Sequence, residues 1–289
     1  MTTTKLGVHA LVFRGGTTPD EISGILAETK AAGYDIIELS LHDADNLDVA
    51  RTRDEIAAAG LEVVCSRGLA FDKDVSSDDP AVVARGAALL QESLVTTHEL
   101  GGRFFTGALY SALGKYGHAL TAAGRANVVA TLKDLAAEAK TRDMRLGLEI
   151  CNRYETNVIN TAADALRLAD DVGADNVDIH LDTYHMNIEE NDMAGPVRLV
   201  GDRLGYVHIG ENHRGYLGSG HIDFPTFVHA LADIGYSGPM TFESFSSAVV
   251  SPTLSNDLAV WRNLWSDGPA LARHARATMS SWIEAAHAS

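Results

Sequence analysis

The chain has 289 residues, 46% of them hydrophobic and 21% charged, which is the make-up of a folded domain with a sizeable core and excludes a disordered, low-complexity polypeptide. A formal charge of -16 excludes a phosphate-backbone ligand, because nucleic-acid affinity comes largely from Lys and Arg releasing counterions, so a small molecule and no nucleic acid is the expected partner. Two cysteines, Cys65 and Cys151, exclude a disulfide scaffold and a paired zinc or redox motif; without a signal-like start in Met1 to Gly16 or an 18-residue apolar run, the expectation is a cytoplasmic protein with no membrane segment.

In chain order, short β-rich runs alternate with longer helical patterns. The run Lys5 to His9 precedes a helical pattern over Pro19 to Ala32; Ile36 to Leu39 and Leu61 to Ser66 follow, then a helix over Pro80 to Leu100. Next come Phe104 to Thr106, a helix over Ala119 to Arg142, Leu146 to Ile150, a helix over Ala162 to Val172, and the runs Val177 to Leu181, Tyr206 to Ile209 and Met240 to Glu243. Gly33, Gly60, Gly101, Gly173 and Gly235 stand before strands two, three, four, six and eight, where a left-handed cap ends a helix.

Strand-then-helix order implies parallel pairing through right-handed crossovers. Eight such units, at the roughly 250 residues typical of a closed barrel, predict one α/β domain over residues 1–289, a (β/α)8 TIM barrel with an additional C-terminal helix. A doubly wound sheet would want G-x-G-x-x-G after the first strand, where this chain has Ala10-Leu11-Val12-Phe13-Arg14-Gly15-Gly16. The tail from Asn256 to Ser289 reads as helix, with Trp261 and Trp265 at i, i+4 on one face, turned to the barrel or to another subunit.

Active sites of such barrels lie at the C-terminal ends of the strands. Glu149 ends strand five, Asp182 strand six, His208 lies in strand seven and Glu243 ends strand eight, at separations of 33, 26 and 35 residues, each close to one βα unit. Three carboxylates so placed repel one another unless a cation stands between them, and with one imidazole they make a hard-ion site suited to a single Mn²⁺ or Mg²⁺. Gly218-Ser219-Gly220 lacks the Lys-Ser/Thr of a phosphate loop and reads as a turn, and Cys65 near the end of strand three reads as packing.

Four segments carry a resemblance over nearly the whole chain: Glu149-Ile150-Cys151-Asn152-Arg153-Tyr154-Glu155-Thr156-Asn157, His180-Leu181-Asp182-Thr183-Tyr184-His185-Met186-Asn187, Val207-His208-Ile209-Gly210-Glu211-Asn212-His213-Arg214-Gly215, and Phe242-Glu243-Ser244-Phe245. They resemble the ketose 3-epimerases, the D-tagatose, D-allulose and L-ribulose 3-epimerase family within the xylose-isomerase-like barrels. The resemblance implies metal ligation by Glu149, Asp182, His208 and Glu243, with Mn²⁺, Mg²⁺ or Co²⁺ as the ion. It further implies contact with the sugar's first three carbons by Glu155, His185 and Arg214, and assembly into homodimers or homotetramers.

Epimerisation at C3 then has Glu149 and Glu243 as acid and base on opposite faces of the substrate, one taking the proton and the other returning one, through an enediolate. Phe13 stands where many relatives carry a tryptophan, and Arg67 where a smaller residue is expected; both are expected at the pocket rim, where they bear on which ketose is preferred. The rival within the fold is an aldose-ketose isomerase acting at C1 and C2, of hydroxypyruvate or inosose type. A metal-dependent abasic-site endonuclease shares an Asp-Thr-x-His turn like Asp182 to His185 but needs more histidine ligands and a basic face, and a non-catalytic sugar binder has no use for two glutamates beside a metal.

Overall fold

The computed structural model describes residues 4–42, 44–250 and 252–288. Its strands are too thoroughly buried to form an open sheet edge: β1 (Leu6–His9) and β6 (Val177–Asp182) have no exposed residue at all. With β2 (Ile36–Ser40), β3 (Glu62–Ser66), β4 (Phe104–Gly107), β5 (Arg145–Glu149), β7 (Leu204–Ile209) and β8 (Met240–Phe242) they close a parallel barrel in sequence order, β8 returning to β1 through Leu6–Met240 and Val8–Phe242 pairs. The expected (β/α)8 barrel is the fold observed.

Period-two alternation sorts the strand residues into two environments. Ile37, Leu39, Leu146, Leu148, Ile179, Leu181, Val207 and Ile209 face outward and join the main core under the helices. Their neighbours face the barrel axis: Ile36, Val64, Phe104 and Tyr206 form a small apolar floor, and polar residues fill the space above it. Parallel pairing sets Asp182 beside His208 and His9 beside Glu38, so the strand register itself brings the polar set together.

The helices are α1 (Pro19–Ala31), α2 (Val49–Ala59), α3 (Pro80–Glu99), α4 (Ala122–Thr141), α5 (Ala162–Val172), α6 (Thr183–Glu189), α7 (Gly195–Val200), α8 (Phe224–Asp233), α9 (Pro252–Asp257) and α10 (Gly268–Ala288). The five glycines expected to precede strands all take positive φ. α4 starts at Ala122 and not Ala119 because the Thr121 side chain accepts from the Gly124 amide and caps it. The C-terminal helix is present as α10, which packs on α8 through stacked Phe224 and Trp282 rings 4.5 Å apart and receives the Tyr34 hydroxyl at the Ala272 carbonyl.

The tail expectation needs correction. Residues 258–267 are irregular, so Trp261 and Trp265 share no helix face; Ser289 lies outside the described residues. Trp265 is buried, its indole N–H donating to Ser244 Oγ at 2.7 Å, whereas Trp261 is 69% exposed. The break is enforced locally, since Ala259 takes a left-handed φ of 53° that no α-helix accepts.

Gly107, at the mouth end of β4, has φ 115°, and a Cβ there would lie 2.3 Å from the Arg67 carbonyl oxygen. Gly107→Ala is therefore expected to lower stability by about 1–3 kcal/mol, combining backbone strain with a main-chain clash. Urea unfolding checks this, and a variant as stable as the parent would show that the β3–β4 approach can relax.

Candidate active site

Each site residue is placed by the end of a strand. Asp182 closes β6 and also caps α6: its Oδ1 accepts from the Tyr184 amide at 2.7 Å, which leaves Oδ2 facing the barrel mouth. One turn into α6, His185 is carried to the same space, 2% exposed. Arg214 follows β7 in a left-handed conformation (φ 59°), its guanidinium 3.9 Å over the Tyr184 ring and donating to Asp182 at 3.2 Å and to Glu243. A non-glycine residue held there stores strain of about 1–3 kcal/mol, a cost the surrounding contacts offset.

Glu149, Asp182, His208 and Glu243 each offer a ligand atom, all within 4.8 Å of one another. His208 is the hub. Its Nδ1 lies 3.4 Å from Glu149 Oε1, 3.4 Å from Glu243 Oε1 and 3.8 Å from Asp182 Oδ2, yet makes no hydrogen bond among the described residues. A buried nitrogen aimed into a cluster of carboxylate oxygens, with no sulfur in the set, fits a hard divalent ion.

The three residues singled out for sugar contact surround the same cavity. Asn152 holds two of them, donating through its side-chain nitrogen to Glu155 Oε1 at 2.8 Å and through its amide to His185 Nδ1 at 3.1 Å. Because His185 Nδ1 accepts, the neutral ring carries its proton on Nε2, which faces Glu149 and Asp182 at 3.8 and 3.7 Å. The cavity thus presents a neutral imidazole donor, a guanidinium and a carboxyl group on one side.

Burial pushes the Glu149 carboxyl up to about 7 and Asp182 up to about 6, each raised further by neighbouring acids although His208 and Arg214 oppose it. Burial likewise raises Glu155 to about 7. Glu243 goes the other way: burial would raise it, but His208 and Arg214 hold it well below the usual carboxylate range. Burial keeps His185 well below the ordinary imidazole value, and His208 stands well above it because Glu38 and Glu243 outweigh the cost of burial.

Reading strand ends alone overlooks Glu38, His9 and Asn152. Glu38 is fully buried in β2 and accepts from His208 Nε2 at 2.7 Å. His9 ends β1 at the mouth, its Nε2 3.6 Å from Glu38 and 4.0 Å from Glu243. Both carried a signal: a carboxylate inside the apolar run Ile36-Ile37-Glu38-Leu39, and a histidine at the same strand-end position that selects the others. Arg67 lines the cavity as expected.

Phe13 does not reach the rim. It is buried in the main core with its backbone against Gly268, and the apolar wall of the mouth comes instead from Leu11, Phe245, Leu254 and Leu258. Cys65 is packed in the core, where burial pushes its thiol up to about 12, and Cys151 is the cysteine that lines the cavity. No helix among the described residues is long and apolar enough to cross a membrane.

A closed (β/α)8 barrel with acids and histidines gathered at the strand ends defines a class. The family model described as "Xylose isomerase-like TIM barrel" matches residues 26–264. Within it the chain is 49% identical to an "L-ribulose 3-epimerase" of Methylomonas sp. (strain DH-1), over 93% of this chain and 94% of the relative. It is 47% identical to a "Ketose 3-epimerase" of Arthrobacter globiformis, with 94% of both chains covered. The crystal structure of a D-allulose 3-epimerase from Methylomonas sp. in complex with D-allulose superposes with a TM-score of 0.94 at 47% identity, covering 97% of this chain and 98% of that one. The chain belongs to the ketose 3-epimerase family of isomerases within the xylose isomerase-like barrels.

The raised carboxyls give a sign to ion binding. Glu149 and Asp182 carry protons below about 7 and 6 and must lose them to become ligands, so affinity for a divalent ion is expected to rise from pH 5 to pH 8 with proton release. Titration calorimetry in buffers of different ionisation enthalpy reads that release; an affinity independent of pH would mean the ion binds elsewhere.

Proposed function

We propose that this chain is a divalent-metal-dependent epimerase of free ketoses, inverting C3 of substrates such as L-ribulose and D-allulose. The observation that carries the reading is that Glu149, ending β5, and Glu243, just after β8, reach one space from different strands, each with an oxygen 3.4 Å from His208 Nδ1. Two carboxylates so disposed can address opposite faces of one carbon.

Glu149, Asp182, His208 and Glu243 would hold the ion, Mn²⁺ by preference and Mg²⁺ or Co²⁺ as substitutes. When bound, such an ion polarises a carbonyl and a neighbouring hydroxyl oxygen and so acidifies the C–H beside the ketone. The protein's own groups do the rest. One of Glu149 and Glu243 removes the C3 proton and the other delivers a proton from the far side, the direction depending on which epimer is bound. His185 Nε2–H and the Arg214 guanidinium donate to the sugar oxygens nearest the ketone, and Glu155 accepts from a hydroxyl. Helix α9 and the turn after it bring Leu254 and Leu258 to the mouth, where their apolar surface limits water near the transferred proton. Buried cysteines without a disulfide suit a cytoplasmic enzyme.

An aldose-ketose isomerase shares the ligand set and is separated by product. A panel of D-fructose, D-allulose, D-tagatose and L-ribulose, incubated with metal-stripped protein before and after Mn²⁺ addition, is expected to give C3 epimers only with the ion. Aldose products would move the chemistry to C1 and C2. Glu149→Gln and Glu243→Gln should each lower kcat by roughly 10²–10⁴-fold with the fold intact, and a near-normal rate in either variant would remove that residue from proton transfer.

A further inference from the structure

Glu38 does not line the cavity, and its whole side chain is buried in the barrel. Its Oε2 accepts two hydrogen bonds, from His208 Nε2 at 2.7 Å and from the Tyr206 hydroxyl at 2.9 Å. The Tyr206 hydroxyl is tied in turn to Thr241 Oγ1 at 2.6 Å, and its ring is stacked on Phe104 and set edge-on to His180. Every member of this chain is buried on a strand of the barrel, so the carboxylate has one position.

An imidazole can turn about its χ2 bond, and either nitrogen can carry the proton. The Glu38 contact removes that freedom, because a carboxylate accepts only from an N–H and so claims Nε2. Nδ1 is then the one nitrogen that can present a lone pair to an ion, and it is aimed at Glu149, Glu243 and Asp182. We infer that Glu38 is a positioning residue for the ion site: it fixes the His208 tautomer and ring orientation and raises the imidazole's strength as a ligand. The inference rests on the metal reading proposed above and adds to it a residue that touches neither ion nor substrate.

The neighbouring group of His9, Glu38 and Glu243, also within 4.8 Å of one another, does not compete as a second ion site. His9 Nδ1 accepts from the Leu11 amide at 3.2 Å, so the neutral ring holds its proton on Nε2, the nitrogen that faces the two carboxylates. A protonated nitrogen is no ligand, and this N–H only faces Glu38 and Glu243, at 3.6 and 4.0 Å, beyond hydrogen-bond reach of either.

The test is Mn²⁺ affinity, read from the electron paramagnetic resonance of free Mn²⁺, for the parent, Glu38→Gln and Tyr206→Phe, with circular dichroism and Tm as fold controls. Glu38→Gln is expected to bind Mn²⁺ about 10–100-fold more weakly and to recover most of its kcat at saturating Mn²⁺, a recovery that simple misfolding would not give. Tyr206→Phe, which removes only the second donor to Oε2, should weaken binding in the same direction by less. Folded Glu38→Gln with parental Mn²⁺ affinity overturns the inference alone. Should Glu38→Gln fail to fold, parental affinity in Tyr206→Phe overturns it equally. Absence of Mn²⁺ binding by the parent overturns the metal reading itself, and this inference with it.

Discussion

The crowding of acids at the barrel mouth is the constraint on which the rest of the structure turns. Glu149, Asp182 and Glu243 are brought within a few ångströms of one another by the ends of three strands, Asp182 and Glu243 buried and Glu149 largely so. Isolated carboxylates buried at that spacing would destabilise the fold by several kcal/mol. The protein answers in two ways: Glu149 and Asp182 retain protons up to near-neutral pH, and Arg214 is drawn in against Asp182 and Glu243 at the cost of a left-handed backbone. A divalent ion answers the same problem more completely, replacing the retained protons, and His208 already points a buried nitrogen at the place where it would sit.

Below this layer the barrel is built to keep His208 still. Glu38, Tyr206 and Thr241 form a hydrogen-bonded strut across β2, β7 and β8, resting on the apolar floor of Ile36, Val64 and Phe104. Above it the walls change character: Leu11, Phe245, Val250 and Leu254 form a separate apolar cluster at the mouth, supplied by the segments after β1 and β8. On the proposed reading, a polar base grips the ketone end of the sugar while an apolar rim contacts the remainder. Rim contacts of that kind distinguish related sugars by only about 1–3 kcal/mol, which suits an enzyme tolerant of several ketoses.

The barrel was legible because eight β-rich runs recur along the chain with helical patterns between them, and the acid–histidine quartet because strand ends recur at about the spacing of one βα unit. Both signals are local and periodic. Glu38 shows in the sequence only as a carboxylate inside an apolar run; its contact with His208 spans 170 residues and appears only once the barrel is closed. His9 and Arg214 differ in the same way: one stands at a strand end like the quartet, while the other sits in a loop where only family likeness assigns it a role. The tryptophan pair was misread because i, i+4 spacing implies a shared face only inside a helix, and the left-handed Ala259 ends the helix before Trp261. Phe13 fell away from the rim because the short helical turn at Ala10–Val12 carries the chain back under α10 and leaves Leu11 facing the mouth.

The most direct test of the account is the anomalous diffraction of a crystal grown with Mn²⁺ and measured at the manganese edge. The account requires one strong peak, bound by carboxylate oxygens of Glu149, Asp182 and Glu243 and by Nδ1 of His208, with Nε2 of that ring still on Glu38. A peak outside that quartet, or a His208 ring turned to present Nε2 to the ion, would contradict it.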